Sequence, residues 1–233
     1  EFNKQTDIDP VAESWELSCH HDGQSIISNG EFSGKTLAQY IETVGKQVIG
    51  TKAPKDKDFP ILIKFIDAKQ SLSVQVHPDD KYALLHEGES GKTEMWYVMD
   101  ATPDATLIYG FTHEISHQEF ERRIKDNTLL EVCNQVPIKK GDVFFIEAGT
   151  LHAIGAGALI AEIQQSSNST YRVYDYGRVG KDGKLRELHI EKALAVTKLE
   201  PPTRKPEPIA KLTAFADYDL TILAQCELFN VSH

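Results

Sequence analysis

Residues 141–164 read GDVFFIEAGTLHAIGAGALIAEIQ, and the order of residue types there decides the fold class. Val143–Ile146 is a short apolar run. Gly149 closes it, Gly155-Ala156-Gly157 marks the next turn, and Leu159–Gln164 is a second run. Apolar runs this short, punctuated by glycine, are strands joined by turns. Tyr171–Tyr176 follows as a third strand after a turn at Asn168.

The same texture extends upstream. Residues 61–68 (ILIKFIDA) form a buried-strand run that carries one lysine. Ser71–His77 alternates, with Leu72, Val74 and Val76 on one face and Ser73, Gln75 and His77 on the other. Thr93–Met99 and Thr106–Tyr109 have the pattern of a hairpin pair. Trp15–Ser18 and Ser25–Ile27 read as further strands.

Helical spacing is confined to the margins. Leu37, Tyr40, Ile41, Val44 and Val48 predict a helix over 36–49, stopped at Gly50. A short helix, Lys81–His86, follows Pro78-Asp79-Asp80. Residues 116–134 are predicted helical, opened by Ser116 and Glu119 at capping-box spacing, and Leu188–Lys198 is a last helix. Many short strands with helices at their edges predict a mainly β chain, a jelly-roll β-sandwich with helical additions.

Two polar stretches interrupt the pattern. Ala53–Pro60 is a Lys/Asp/Pro-rich loop, and Pro201–Pro208, with four prolines in eight residues, reads as a linker or extended crossover. The organisation expected is therefore a main domain over 1–200 and a short tail over 201–233. In the tail, Ile222–Val231 is strand-like, with no return strand before His233. A lone strand is unstable, so it either pairs back onto the earlier sheet or begins a second β unit, and the second is favoured.

Composition narrows the function classes. The 233 residues carry 25 Lys+Arg against 35 Asp+Glu, a net charge of −10, with a pI near 5.4. That excludes a broad nucleic-acid or anionic-membrane surface and leaves room for a small cationic pocket. Apolar residues at 40% and charged residues at 26% exclude a disordered chain. No apolar run approaches the ~18 residues of a membrane span. No signal peptide opens the sequence, and the first residues, Glu1-Phe2-Asn3, lack an initiator Met, which leaves room for a natural start upstream. Cys19, Cys133 and Cys226 are far apart and form no CxxC pair, which fits a reducing cytoplasm.

The chemistry sits on three segments. Gln75 and His77 share one strand face two residues apart. Glu94 lies on the next strand, and Gly149 turns the chain so that His152 opens a following strand facing inward. One histidine among nine says little. Two imidazoles and a carboxylate on adjacent strands are a common ligand set for a divalent transition metal. Gln75 adds a neutral oxygen, a further position stays open to water or substrate, and Zn²⁺ suits such N/O donors.

These motifs also carry a resemblance. Gln75–Asp80 (QVHPDD), Gly91–Tyr97 (GKTEMWY), Gly149–Gly155 (GTLHAIG) and Thr170–Asp175 (TYRVYD) resemble the cupin motifs. More closely, they resemble the type I mannose-6-phosphate isomerases of the short bacterial branch, over most of residues 13–200. The resemblance implies a cupin-type sandwich and a zinc-dependent aldose–ketose isomerase acting on mannose 6-phosphate and fructose 6-phosphate. It implies one Zn²⁺ per chain held by Gln75, His77, Glu94 and His152, an active-site arginine at Arg172, and substrate-side lysines at Lys64 and Lys92. One departure is Glu147, which stands where the general cupin pattern has proline and is read as a surface turn variant. Family members also run on into a second β-sandwich.

Aldose–ketose isomerisation moves a proton between C1 and C2 through an enediol(ate). Arg172 is expected to hold an oxygen of that species or to position the sugar. Its bland alternative is a surface ion pair with Asp175. Lys64, alone in an apolar strand, either faces a polar cavity, where it could take part in acid/base work, or lies at a wet sheet edge. Lys92 is expected to bind a substrate oxygen or phosphate, against a solvated loop cation. The proton-shuttling base stays open among Lys64, Lys92 and metal-bound water, and the phosphate site among guesses at Ser18, Ser71, Ser73 and Arg178. The expected partner is a phosphorylated hexose, with no nucleic acid and no membrane, and oligomeric state is left open. Two competing readings are a catalytically silent sugar-phosphate-binding cupin and another metal-dependent cupin enzyme, such as an Fe²⁺ oxygenase.

Overall fold

A computed structural model describes residue 7 and residues 11–51, 59–180 and 183–233. Glu1-Phe2-Asn3 and most of the Ala53–Pro60 loop lie outside the described residues. In chain order the elements are β1 (Glu13–Leu17), α1 (Leu37–Val44), β2 (Ile61–Ala68), β3 (Val74–Val76), α2 (Asp80–His86), β4 (Glu94–Ala101), β5 (Thr106–Phe111), α3 (His117–Lys125), β6 (Cys133–Pro137), β7 (Val143–Ile146), β8 (His152–Ile154), β9 (Ala158–Gln165), β10 (Tyr171–Tyr174), α4 (Ile190–Val196), β11 (Thr213–Ala214), β12 (Asp219–Leu220), β13 (Ile222–Gln225) and β14 (Asn230–Ser232).

Two five-stranded antiparallel sheets form the sandwich. Their strand orders are β1-β2-β9-β4-β7 and β10-β3-β8-β5-β6. The period-2 pattern of the strands divides their side chains among three layers. Ile66, Trp96, Leu107, Phe144, Ile154 and Ile160 belong to one buried cluster, filling the space between the sheets. Val74, Val76, Leu151 and Val173 point the other way and pack under α3 and α4, with Phe120 and Ile124 of α3 in the same cluster. On the outer face of the first sheet, Met95, Val143 and Phe145 pack against Leu223, Ala224 and Phe229.

The mainly β sandwich expected from the glycine-punctuated runs is therefore observed, and four local expectations are revised. Ser25–Ile27 is no strand; Ile26 makes only an isolated bridge to Thr36. The helix over 36–49 breaks at Gly45, whose φ of 101° ends α1, and continues as a 3₁₀ turn at Lys46–Ile49. The helix predicted over 116–134 stops at Lys125, because Asn127 takes a φ of 58°. A 3₁₀ turn follows, and Cys133–Pro137 is a strand hidden by its polar residues.

The last revision concerns the tail. Ile222–Val231 is no single strand. The chain turns between Cys226 and Phe229, and β13 pairs with β14 as a hairpin. That hairpin supplies its own partner and buries Leu223, Ala224 and Phe229 on the sandwich. The return strand was missed because Asn230-Val231-Ser232 is too short and polar to read as one.

Candidate metal centre

The site lies inside the sandwich, toward the side where β1 and β10 are the edge strands. Val74 and Val76 face the helices, so Ser73, Gln75 and His77 face inward. The register then sets neighbours: Gln75 pairs with Arg172 of β10 on one side and with His152 of β8 on the other. Glu94 opens β4 opposite Gln164 and Ile146.

Gly149 makes the approach of His152 possible. Its φ is 89°, its N–H donates to the His77 carbonyl at 2.8 Å, and an added Cβ would meet the Val196 carbonyl oxygen at 2.8 Å. Only glycine fits there without strain. The turn is thereby tied to the strand that carries His77.

The donor atoms converge. His77 Nε2 lies 3.1 Å from His152 Nε2 and 3.5 Å from Glu94 Oε2, and His152 Nε2 lies 3.5 Å from Glu94 Oε1. All three side chains are buried, with Glu94 and His152 wholly so. The amide nitrogen of Gln75 lies 3.5 Å from His152 Nε2, and its oxygen accepts from Ser73 Oγ at 3.5 Å, so an amide flip is needed to present that oxygen to the cluster. On their far sides the rings are fixed: His77 Nδ1 donates to the Ser169 carbonyl at 2.9 Å, and His152 Nδ1 to the Thr150 carbonyl at 2.8 Å. Each Nδ1 therefore carries the proton and each Nε2 presents its lone pair to the shared centre, the second-shell pattern of metal-ligating histidines.

The electrostatics agree with ligation. Burial holds both imidazoles neutral, and His77 is pulled down to about 3 by burial and by the charge of Lys92. Burial works to raise the Glu94 carboxyl, but Lys92 and the imidazoles outweigh it and hold it well below the usual range. Both Glu94 oxygens are wholly buried; Oε2 faces the Lys92 ammonium at 2.9 Å, and Oε1 has no hydrogen-bond donor among the described residues. A buried carboxylate with one oxygen lacking a donor, facing two Nε2 lone pairs, fits a cation.

Lys92 and Lys64 adjoin the same buried cluster, both reaching Glu162. Lys92 Nζ is 2.9 Å from Glu94 Oε2 and 3.1 Å from His77 Nε2, and its side chain is 4% exposed, so it is no solvated loop cation. Lys64 sits on β2, which is flanked by β1 and β9 and is not an edge. Its Nζ lies 3.6 Å from Glu162 and 4.8 Å from the Trp15 ring centre. Arg172 is half-buried and donates to Ser73 Oγ at 3.3 Å and to the Glu187 carbonyl at 3.0 Å. Asp175 is bound instead by Arg178 and Arg186. Glu147 pairs with Lys198 at 2.9 Å, outside the His77–Glu94–His152 cluster.

Glu162 was not found from the sequence. It is buried on β9, receives the Trp96 indole N–H at 2.9 Å, and lies 3.6 Å from Lys64 and 3.7 Å from Lys92. Burial and the charge of Glu94 push its carboxyl up, so Glu94 and Glu162 are driven in opposite directions. A usable signal existed: Ala158, Ile160, Glu162 and Gln164 alternate. The other face carries Leu159, Ala161 and Ile163, so polarity alone would turn Glu162 outward.

Comparison with known proteins places this geometry. The pattern of the phosphomannose isomerase type I catalytic domain matches residues 3–102. A probable mannose-6-phosphate isomerase of Bacillus subtilis is 43% identical over 222 residues, 95% of this chain and 69% of that protein. The chain belongs to the type I phosphomannose isomerases. The crystal structure of a mannose 6-phosphate isomerase from Bacillus subtilis superposes with a TM-score of 0.86 at 37% identity, covering 95% of this chain and 69% of that one. A zinc-bound mannose 6-phosphate isomerase, 16% identical, shares the fold at a TM-score of 0.68 over 96% of this chain and 74% of that one.

The support of His77 reaches further than Ser169. The Ser169 hydroxyl donates to Glu89 Oε1 in a short hydrogen bond, and Glu89 Oε2 also meets His20 Nε2 at 3.1 Å and the Asn168 N–H at 3.4 Å. Burial acts to raise the Glu89 carboxyl, and these hydrogen bonds outweigh it and hold it below its usual range. The Glu89→Gln variant is expected to weaken metal affinity by less than the roughly 10- to 100-fold typical of a ligand's direct hydrogen-bond partner, because Glu89 reaches His77 only through Ser169. Competition with a chelator measures this. A carboxyl lowered on folding stabilises the fold above its unfolded value of 4.5, and that stability is lost as pH falls through the depressed value. The variant should therefore show a flatter loss of stability in acid.

Proposed function

We propose that the chain is a zinc-dependent aldose–ketose isomerase interconverting mannose 6-phosphate and fructose 6-phosphate through an enediol(ate). One observation carries the proposal: the His77–Glu94–His152 cluster adjoins a buried Lys92–Glu162 pair, with Lys92 Nζ 2.9 Å from Glu94 and 3.7 Å from Glu162. One Zn²⁺ per chain, held by His77, Glu94 and His152 with Gln75 as a further oxygen donor, suits this donor chemistry. When bound, the ion supplies Lewis-acid stabilisation to the oxygens on C1 and C2.

The remaining work falls to the protein. Glu162 and Lys92, 3.7 Å apart, are the proton-handling groups at the C1–C2 edge of the substrate. Two carboxyls driven in opposite directions divide the labour, with Glu94 kept charged as a ligand and Glu162 able to carry a proton. Lys64 and Arg172 approach from opposite sheets and hold sugar oxygens. The Trp15 ring lies against Lys64. The described residues hold no helix long and apolar enough to cross a membrane. Cys19, Cys133 and Cys226, far apart in the sequence, fit a reducing cytoplasm.

The proposal is tested by metal analysis of the purified protein together with an assay for fructose 6-phosphate. One zinc per chain with turnover is expected. Binding of mannose 6-phosphate without turnover would favour a silent binding module, and bound iron without isomerisation would favour another metal-dependent cupin enzyme.

A further inference from the structure

Lys92 works from a position outside the regular sheet. β4 begins at Glu94, and its ladder with β9 begins at the pair Glu94–Gln164. Glu162 is fixed within that ladder, opposite Trp96. Lys92 lies two residues before the ladder starts. The 3.7 Å between Lys92 Nζ and Glu162 Oε1 therefore depends on what holds residues 91–93.

That segment is held at each of its backbone N–H groups. The Gly91 N–H donates to Asp80 Oδ1 at 2.8 Å, the Lys92 N–H to the Pro78 carbonyl at 3.0 Å, and the Thr93 N–H to Gln165 Oε1 at 2.9 Å. The Gln165 N–H also donates to the Thr93 carbonyl at 3.1 Å, so Gln165 engages both backbone groups of Thr93. Gln165 Nε2 donates in turn to Asp80 Oδ1 at 2.9 Å. The amide fits only this way round. Turned over, its oxygen would meet the Asp80 carboxylate and its NH₂ the Thr93 N–H. Gly91 lets the segment lie against the start of α2, because a Cβ there would meet the Asp79 carbonyl carbon and the Asp80 nitrogen at 2.4 Å.

Gly91, Lys92, Thr93 and Gln165 are all buried. A buried N–H without a partner is costly, so these bonds select one path for the backbone. Pro78 adjoins the ligand His77, and Gln165 follows Glu162 by three residues on the same chain segment. The clamp thus ties Lys92 to the segments that carry both of its working neighbours.

We infer that Gln165 and Asp80 are positioning residues that keep the Lys92 ammonium aligned with Glu162 for proton transfer. This rests on the isomerase reading above and deepens it. Both side chains act through the backbone that carries Lys92, without touching the sugar. Alignment matters because a misplacement of ~1 Å can cost on the order of 100-fold in rate.

The test uses the zinc-loaded full chain. Q165M keeps an unbranched side chain of similar length and removes both side-chain hydrogen bonds. It is expected to lower kcat about 10- to 100-fold, with zinc content and KM for mannose 6-phosphate close to parental. In the K92M background the same substitution should lower kcat by less than about threefold, because the group it positions is already gone. Parental kcat in Q165M would overturn the inference. So would an equal fold loss in both backgrounds, the result of a purely structural role. Should Q165M fail to fold, D80A at its half-buried position takes its place in the same comparison. If the parent forms no fructose 6-phosphate, the isomerase reading fails on its own. The ¹⁵N resonance of the Lys92 ammonium, identified by its absence from K92M, then decides the clamp. A displaced or broadened resonance in Q165M supports it, and an unchanged one overturns it.

Discussion

Replacing His152 by alanine is expected to abolish isomerisation and to release the metal. His152 is buried between Trp96 and His77, and its Nε2 completes the cluster with Glu94 Oε1 at 3.5 Å. Loss of that donor should cost metal affinity more than the 10- to 100-fold typical of outer-shell changes. Without the cation, the enediolate charge loses several kcal/mol of stabilisation, and each ~1.4 kcal/mol is a factor of ten in rate. Turnover should fall at least ~10²-fold at limiting zinc. The fold should survive, because the imidazole is replaced by a smaller group within a shell of intact strands. Equilibrium dialysis against zinc and near-UV circular dichroism separate the two effects. Tight zinc binding by the variant would remove His152 from the ligand set.

Replacing Lys92 by methionine should separate catalysis from metal binding. The ammonium lies between two buried carboxylates, 2.9 Å from Glu94 and 3.7 Å from Glu162. Those charges hold it protonated against the pull of burial. Methionine keeps the apolar stem and removes the charge. In metal-free protein the loss leaves Glu94 uncompensated, and breaking such a buried pair costs about 3–5 kcal/mol of stability. Added zinc should restore most of it, because the ion meets the same carboxylate. Turnover should nonetheless stay ~10²- to 10⁴-fold down, the usual worth of a positioned acid or base. The expected signature is a large zinc-dependent rise in Tm without recovery of kcat. Parental kcat in the zinc-loaded variant would exclude Lys92 from the proton-handling pair.

These two residues also show what was legible in the sequence. His77 and Gln75 share a strand face with Ser73, and Val74 and Val76 mark the opposite one, so period-2 alternation alone aimed the ligands. Gly149 announced the turn that delivers His152. Lys64 stood out because a charge inside ILIKFIDA must find a partner.

What stayed hidden was non-local or weakly patterned. One face of β9 mixes Glu162 and Gln164 with Ala158 and Ile160, while the other carries Leu159, Ala161 and Ile163, so polarity alone would turn Glu162 outward. The grip on His77 runs through Ser169, 92 residues away, and then to Glu89 and His20, contacts that no local spacing encodes. Cys133–Pro137 lacks alternation, and its first two residues lie inside the helix predicted over 116–134. The tail hairpin was concealed by its short return strand, although Leu223 and Phe229 anchor it to the sheet.

The account turns on one dependence, that of sugar-phosphate isomerisation on an ion held by His77, Glu94 and His152. The measurement is fructose 6-phosphate formation from mannose 6-phosphate by chelator-stripped protein titrated with Zn²⁺. Turnover is predicted to be absent at the start, to rise linearly, and to level off at one equivalent per chain. Full turnover in the stripped protein, or none at any zinc concentration, would contradict it.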